Sequence, residues 1–393
     1  MRSRLAIVAT HPIQYFAPWF AYITKALKLD LKVFYLWDYG IVARHDRGFH
    51  REVKWDIPLL EGYNFEFLEN RSPFPGTGRF AGLWNPDLAA RVGAFHPDAV
   101  LLTAYNFASI WYFLTQWRRQ STPLLFRGDS HRLVAHSGTG ARLKQAVITR
   151  LFRRFSAILY VGSANRDYFK MHGVSDESLF YSPHAIDIDR FLAAREVADS
   201  DARLWRGTLG IPAHHKVILF AGKLEEKKRP LDLLKAFEDA NLPDVSLLFV
   251  GSGPQESRLR DAATRVGSVH FAPFQNQSLM PRTYAIADVF VLPSYGPGET
   301  WGLAVNEAMC LARPVIASEH VGCAQDLVIP YETGLRFPAG DIAALKSALR
   351  TAFEDPTRLK RWGENGSVRI RSFTYGEATS GLRRALLAVG VPV

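Results

Sequence analysis

Short apolar runs alternate with longer amphipathic stretches along most of the chain, which is how parallel strands joined by crossover helices read in sequence. In the first half this pattern predicts strands at 5–9, 31–35, 99–103, 123–127, 157–161 and 178–181, with helices at 16–27, 87–95, 109–120 and 141–155. Residues 188–215 then break the rhythm as a helical excursion and linker, closing just after Gly210-Ile211-Pro212. A second series follows, with strands at 216–221, 245–250, 269–271, 289–292 and 314–317 and helices at 230–240, 255–266, 278–287 and 300–311. Helical patterns at 342–353, 356–373 and 375–389 end the chain. The fold class is α/β, with two parallel-sheet units side by side, and ligands of such sheets bind beyond the carboxyl ends of the strands.

A length of 393 residues agrees with two domains. Hydrophobic residues at 48% and charged residues at 22% exclude wholesale disorder and a polytopic membrane protein. Two cysteines, Cys310 and Cys323, can build neither a disulfide framework nor a zinc site of four thiolates, and they fit a reducing compartment. The apolar run 5–9 stops at His11-Pro12, short of a signal peptide's apolar region, and reads as a buried first strand. The formal charge of +10 asks for an anionic partner.

The most informative segment runs from Pro293 to Glu307, between a strand and a helix. Thr300 is placed to cap that helix, which would leave the amides of Trp301, Gly302, Leu303 and Ala304 free for a phosphate. Glu299 precedes the cap and Glu307 lies eight residues on. On a helix that spacing separates the carboxylates by about 12 Å, too far for a glycosidase pair. It suits two ends of one ligand with a diphosphate between, a nucleotide sugar. Gly296, Gly298 and Gly302 permit close backbone approach. A second cluster, Gly222-Lys223-Leu224 through Lys228, follows the first strand of the second unit, where Lys223 and Lys228 can neutralise a diphosphate.

With these motifs, joined by Gly251-Ser-Gly-Pro254 and Ala287-Asp288-Val-Phe-Val-Leu-Pro-Ser294, the chain resembles the retaining GT-B-fold glycosyltransferases of family 4. The resemblance covers about residues 216–344 well and the first half loosely. It implies two Rossmann-like domains facing each other across a cleft: an acceptor domain over 1–200, a donor domain over 201–373, and a final helix within 374–393 packing back on the first domain. It further implies that Glu299 contacts the donor sugar, that Glu307 holds the ribose hydroxyls, that Lys223 and Lys228 bind diphosphate, and that Phe274 and Gln275 face the nucleobase. Lys223 stands where relatives commonly have Arg, which keeps the charge and loses the bidentate fork.

Two places depart from the family. The loop after the first strand carries His11 and Gln14 where many relatives have glycines, and either side chain can meet donor phosphate or acceptor hydroxyl. After the strand 124–126, Arg127 takes the place of a histidine, with Asp129 and His131 close behind. The expected reaction is transfer of a hexose-like sugar from a nucleoside diphosphate to an acceptor hydroxyl with retention, with no metal and no cofactor beyond the donor. A nucleotide-sugar epimerase or isomerase of the same fold, and a noncatalytic sugar-nucleotide-binding subunit, are the competing functions.

The expected partners are a nucleotide sugar and a glycan, lipid-linked or small-molecule acceptor. Between Arg127 and Lys170 stand nine bases and two acids, and the stretch 141–155 has apolar and basic residues with no acid. That stretch either packs on the first sheet or lies on an anionic membrane. Nucleic acid has no recognised motif to support it. The expected location is the cytoplasm, at the inner face of the membrane if the basic helix docks there.

Overall fold

The computed structural model describes residues 2–42, 44–46, 48–117, 122–134, 139–355 and 357–393. Its first sheet has seven parallel strands in the spatial order Asn64–Phe67, Leu29–Tyr35, Ser3–Ala9, Ala99–Leu102, Leu124–Arg127, Ala157–Tyr160 and Leu179–Tyr181. The second has six, in the order Val269–Ala272, Val245–Val250, Lys216–Ala221, Val289–Leu292, Val315–Ser318 and Gly334–Phe337, again all parallel. In both sheets the strand order reverses beside the first strand, and this creates a crevice at the carboxyl ends. Helices cover both faces, so strands such as Leu5–Ala9 and Val217–Ala221 are buried throughout and read as continuous apolar runs.

Four strands escape the hydrophobic pattern. The edge strand Asn64–Phe67 is short and half polar. The hairpin strands Arg44–Asp46 and Arg51–Val53 have three residues each. Gly334–Phe337 opens on a glycine whose Cβ would lie 1.8 Å from the Val315 carbonyl oxygen, so close backbone packing replaces the usual β-branched signature. The expected helix 109–120 is observed as Ala108–Gln116, and its tail at 118–120 lies outside the described residues, as does residue 356 at the start of the expected helix 356–373.

The excursion after the first sheet forms two helices, Ile188–Ala193 and Arg195–Thr208. Both precede or straddle residue 200, yet Ile188, Phe191, Ala198 and Ala202 are buried in one core with Val217, Leu219 and Leu248 of the second sheet. Structurally, the chain crosses between domains before 188. It returns through Tyr375–Ala388, whose Ala378, Leu382, Ala385 and Leu386 pack with Leu5, Ile7 and Leu31 of the first sheet, while Trp19 donates to Thr379 at 3.1 Å.

Polar contacts then bind the two bodies directly. Asp326 accepts the Ser163 backbone N–H at 3.0 Å, at the start of helix Ser163–Met171. On the other side of the cleft, Asn276 donates to the Lys54 carbonyl at 2.7 Å and Ser252 to the Phe49 carbonyl at 2.8 Å. No helix among the described residues is long and apolar enough to cross a membrane.

Candidate active site

A cavity of about 1190 Å³ lies between the domains at the carboxyl ends of both sheets. It gathers most of the residues singled out in the sequence: His11, Gln14 and Asp129 from the first domain, and Gly222, Lys223, Lys228, Phe274, Gln275, Glu299, Thr300, Trp301, Gly302, Leu303 and Glu307 from the second. Arg127 and His131 do not line it.

The Lys228 ammonium forms an ion pair with Glu299, and both side chains are largely buried, 15% and 11% exposed. Ser294 donates a second hydrogen bond to Glu299 at 2.9 Å. Burial opposes charge on this carboxyl, but Lys228 outweighs it and holds the group below the usual carboxylate range. Lys223 reaches across the cleft to Asp46 at 3.0 Å and lies over the Phe49 ring at 4.8 Å. Asp46 also accepts the Tyr39 hydroxyl at 2.7 Å and the backbone N–H groups of Gly48 and Phe49. Both candidate phosphate ligands therefore carry a carboxylate partner that an incoming anion has to displace or share.

Glu307 is buried with two phenols. Tyr284 donates to it at 2.7 Å, and Tyr15, from the opposite domain, at 3.1 Å. Burial raises the carboxyl above its ordinary value against the pull of these two donors.

The helix that Thr300 was expected to cap begins later, at Leu303, with Gly302 at φ +95° in the cap position. Residues 299–301 cannot coil, because the Glu299 and Trp301 carbonyls already accept the N–H groups of Gly322 and Cys323, at 3.1 and 2.8 Å. Glu299 and Glu307 thus do not share one helical run, and the helical spacing estimate does not apply to them. The Thr300 hydroxyl instead donates to Asp129 at 2.7 Å. Leu303 and Ala304, in the first turn, still face the cavity, so the helix terminus opens where an anion would lie.

Asp129 also meets the buried His184 imidazole at 3.4 Å. Burial works against its charge, but His184 and Thr300 prevail and bring it down to about 2. Arg127 is turned away beneath this layer. Its guanidinium donates to the carbonyls of Ser182 and Pro183 at 3.2 and 3.0 Å and sits over the rings of Trp19 and Phe16, at 4.6 and 5.3 Å. Burial lowers its pKa to about 10. It fastens the segment that carries His184 and does not meet a ligand in the cleft.

His131 is a support as well. Its Nε2 donates to the Glu299 carbonyl at 3.3 Å, and its Nδ1 accepts the Leu133 N–H at 3.2 Å. Both nitrogens are occupied in holding the Glu299 loop. His11 lies edge-on to Tyr39 with centroids 5.3 Å apart, and burial lowers its pKa to about 4, which leaves it neutral at pH 7.

Sequence reasoning did not assign Tyr15, Asp46, His184 or Tyr284 to the site. Tyr15 and His184 sit just past the carboxyl ends of first-sheet strands, a position that marks them. Asp46 arrives on an excursion with weak strand patterning, and Tyr284 on a helix whose periodicity reads as core.

The two sheets and the cleft between them define a two-domain scaffold of GT-B architecture. Residues 201–369 match the family model of glycosyl transferases group 1. A GDP-mannose-dependent monoacylated alpha-(1-6)-phosphatidylinositol monomannoside mannosyltransferase of Corynebacterium glutamicum is 31% identical over 223 residues, 55% of this chain and 57% of the relative. A GDP-mannose-dependent alpha-(1-6)-phosphatidylinositol monomannoside mannosyltransferase of Mycolicibacterium smegmatis is 26% identical over 310 residues, 72% of this chain and 79% of the relative. The chain spans about half the length of the first of these and of the D-inositol 3-phosphate glycosyltransferases it matches. Among solved structures, HepE of Anabaena in complex with UDP and glucose superposes with a TM-score of 0.73 over 98% of this chain and 100% of that one, at 19% identity, which establishes the shared fold.

Proposed function

We propose that the protein is a glycosyltransferase that moves a sugar from a nucleoside diphosphate to an acceptor hydroxyl with retention at the anomeric carbon, the second domain taking the donor and the first the acceptor. The observation that carries this reading is the convergence of Lys223, Lys228, Glu299 and the opening of helix Leu303–Cys310 on one interdomain cavity. The chemical demand of such a transfer is stabilisation of the departing diphosphate. Two ammonium groups and a helix terminus in a cleft of low dielectric supply it, so transfer should proceed equally well after chelation of divalent ions. When diphosphate engages Lys228, the Glu299 carboxylate is released towards the sugar hydroxyls, and Glu307 is the acceptor for the ribose.

Relatives named for GDP-mannose and a neighbour holding UDP and glucose define the donor panel. Incubation with UDP- and GDP-sugars and a phosphoinositide or oligosaccharide acceptor should give a new glycoside whose anomeric configuration matches the donor's. Sugar that is rearranged but stays on the nucleotide would establish the epimerase instead.

The acceptor chemistry of the relatives also bears on helix Thr139–Phe152. Ile148, Leu151 and Phe152 pack inward, while Leu143 and Val147 are exposed beside a groove lined by Arg142, Arg150 and Arg153. We propose that this face rests on an anionic cytoplasmic leaflet and brings a lipid-linked acceptor to the cleft. Flotation with phosphatidylinositol-containing vesicles should decline with salt and with Arg142→Glu. Salt-independent or absent flotation would remove the membrane from this account.

A further inference from the structure

We infer that the end of the second sheet opposite the cleft carries a binding site for a divalent transition ion of the zinc class, formed by His214, His215 and Asp244. The register of the central strands creates it. Lys216 pairs with Val245, so the residues just before each strand meet at the amino ends, where the Lys216 N–H also donates to the Asp244 carbonyl at 2.7 Å. His214 Nε2 stands 3.4 Å and His215 Nε2 4.0 Å from Asp244 Oδ1, and the three candidate ligand atoms all lie within 4.8 Å of one another. This is the one such group of three among the described residues. Two imidazoles and a carboxylate are a ligand set for zinc, with bonds of about 2.0–2.2 Å, and the exposed His214 and Asp244 side chains are free to close the remaining gap around an ion.

A second observation is independent of that proximity. A hydrogen-bonded relay orients the His215 ring. The Leu209 carbonyl can only accept, so His270 Nδ1, 3.0 Å away, carries a proton. Burial lowers the His270 pKa and favours the neutral ring, so its Nε2 accepts from the Ser246 hydroxyl at 3.4 Å. With its own proton committed, Ser246 Oγ accepts from His215 Nδ1 at 3.0 Å. The remaining nitrogen, His215 Nε2, faces the Asp244 carboxylate. A histidine oriented through its far nitrogen by a fully buried serine is the outer-shell arrangement of metal-binding imidazoles. The site lies away from the cleft and joins two loops of the second domain.

Zinc titrated into the chelator-treated full chain should bind with one equivalent assigned to this site and raise the unfolding temperature. His214→Ala and Asp244→Asn, both at exposed positions, should lose that equivalent and its thermal shift. Ser246→Ala should weaken binding by about tenfold, because the serine only orients the ligand. Since Ser246 is buried, its metal-free unfolding is compared first, and if that variant does not fold the two exposed ones decide. Absence of zinc uptake by the unaltered chain, or an undiminished equivalent in His214→Ala and Asp244→Asn, would overturn the inference.

Discussion

The two walls of the cleft are chemically unlike. The first domain presents mainly rings, among them His11, Tyr15, Trp37, Tyr39, Phe49 and Trp55, whereas the second presents Lys223, Lys227, Lys228, Glu225, Glu299 and Glu307. Rings without charge suit the apolar faces and hydroxyl edges of sugars. A wall of lysines beside a helix terminus suits an anion. The asymmetry therefore argues for one donor-facing and one acceptor-facing wall, and it shows where the charge of the molecule is used. The excess between Arg127 and Lys170 stays outside the cavity, apart from the neutralised layer around Asp129.

Loss of Lys228 strikes the charged wall hardest. Lys228→Ala should lower kcat by about 10²–10³-fold, the scale of removing one group that stabilises developing charge in a closed site. Glu299, left buried without its partner, rises in pKa, so the deficit should be steepest at low pH. A KM change alone, with kcat intact, would mean that Lys228 only binds the ground state.

Arg127 tests the other wall in a different currency. Because its guanidinium is committed to two carbonyls and two rings, Arg127→Met should cost about 2–4 kcal/mol in chemical denaturation while the folded fraction keeps its KM for donor. A stable variant that fails in turnover would instead put this guanidinium in contact with substrate.

How far the sequence reached differs between the walls for the same reasons. The second sheet was legible strand by strand up to Pro314–Ala317, because continuous apolar runs and compact strand-to-helix motifs record a buried parallel sheet directly. Glu299, Glu307 and Lys228 were legible through that local context. What escaped depends on contacts distant in sequence. Thr300 is a good cap by type, but the 322–323 backbone ties down the Glu299 and Trp301 carbonyls, and the helix starts only at Leu303. Tyr15 completes the Glu307 pocket from 292 positions away. His184 becomes functional in appearance only once Arg127 has pinned the chain before it.

Asp129 links the walls through Thr300 and His184, and its acid behaviour measures that link. Its carboxyl titrates near 2 in the folded protein against 3.8 otherwise. The depressed value gives stability that is complete above about 4 and is lost as pH falls through 2. With 40% of the side chain exposed, solvent screening reduces the contribution to about 1 kcal/mol. Asp129→Asn should therefore be less stable than the unaltered protein at pH 6, and the gap should shrink as pH falls from 4 towards 2 in urea titrations. A gap that is constant with pH would assign the loss to packing.

The smallest effect concerns an ion pair that ties the two walls together. Asp46, only 12% exposed, neutralises Lys223, and the diphosphate would have to compete with it. Asp46→Asn keeps an oxygen at the Oδ1 position for the Gly48 and Phe49 N–H groups, while its Nδ2 replaces the oxygen that accepts from Tyr39 and can donate to that hydroxyl instead, so the turn should survive while the charge is removed. The ammonium is then free for the donor, and the donor KM should fall by about two- to fivefold at low ionic strength, since an ion pair of this partly exposed kind contributes about 0.2–1 kcal/mol. Added salt should narrow the difference, because it already weakens the competing pair in the unaltered protein. If the KM rises instead, Asp46 belongs with the substrate-holding groups, and the aromatic wall contributes a charge of its own to catalysis.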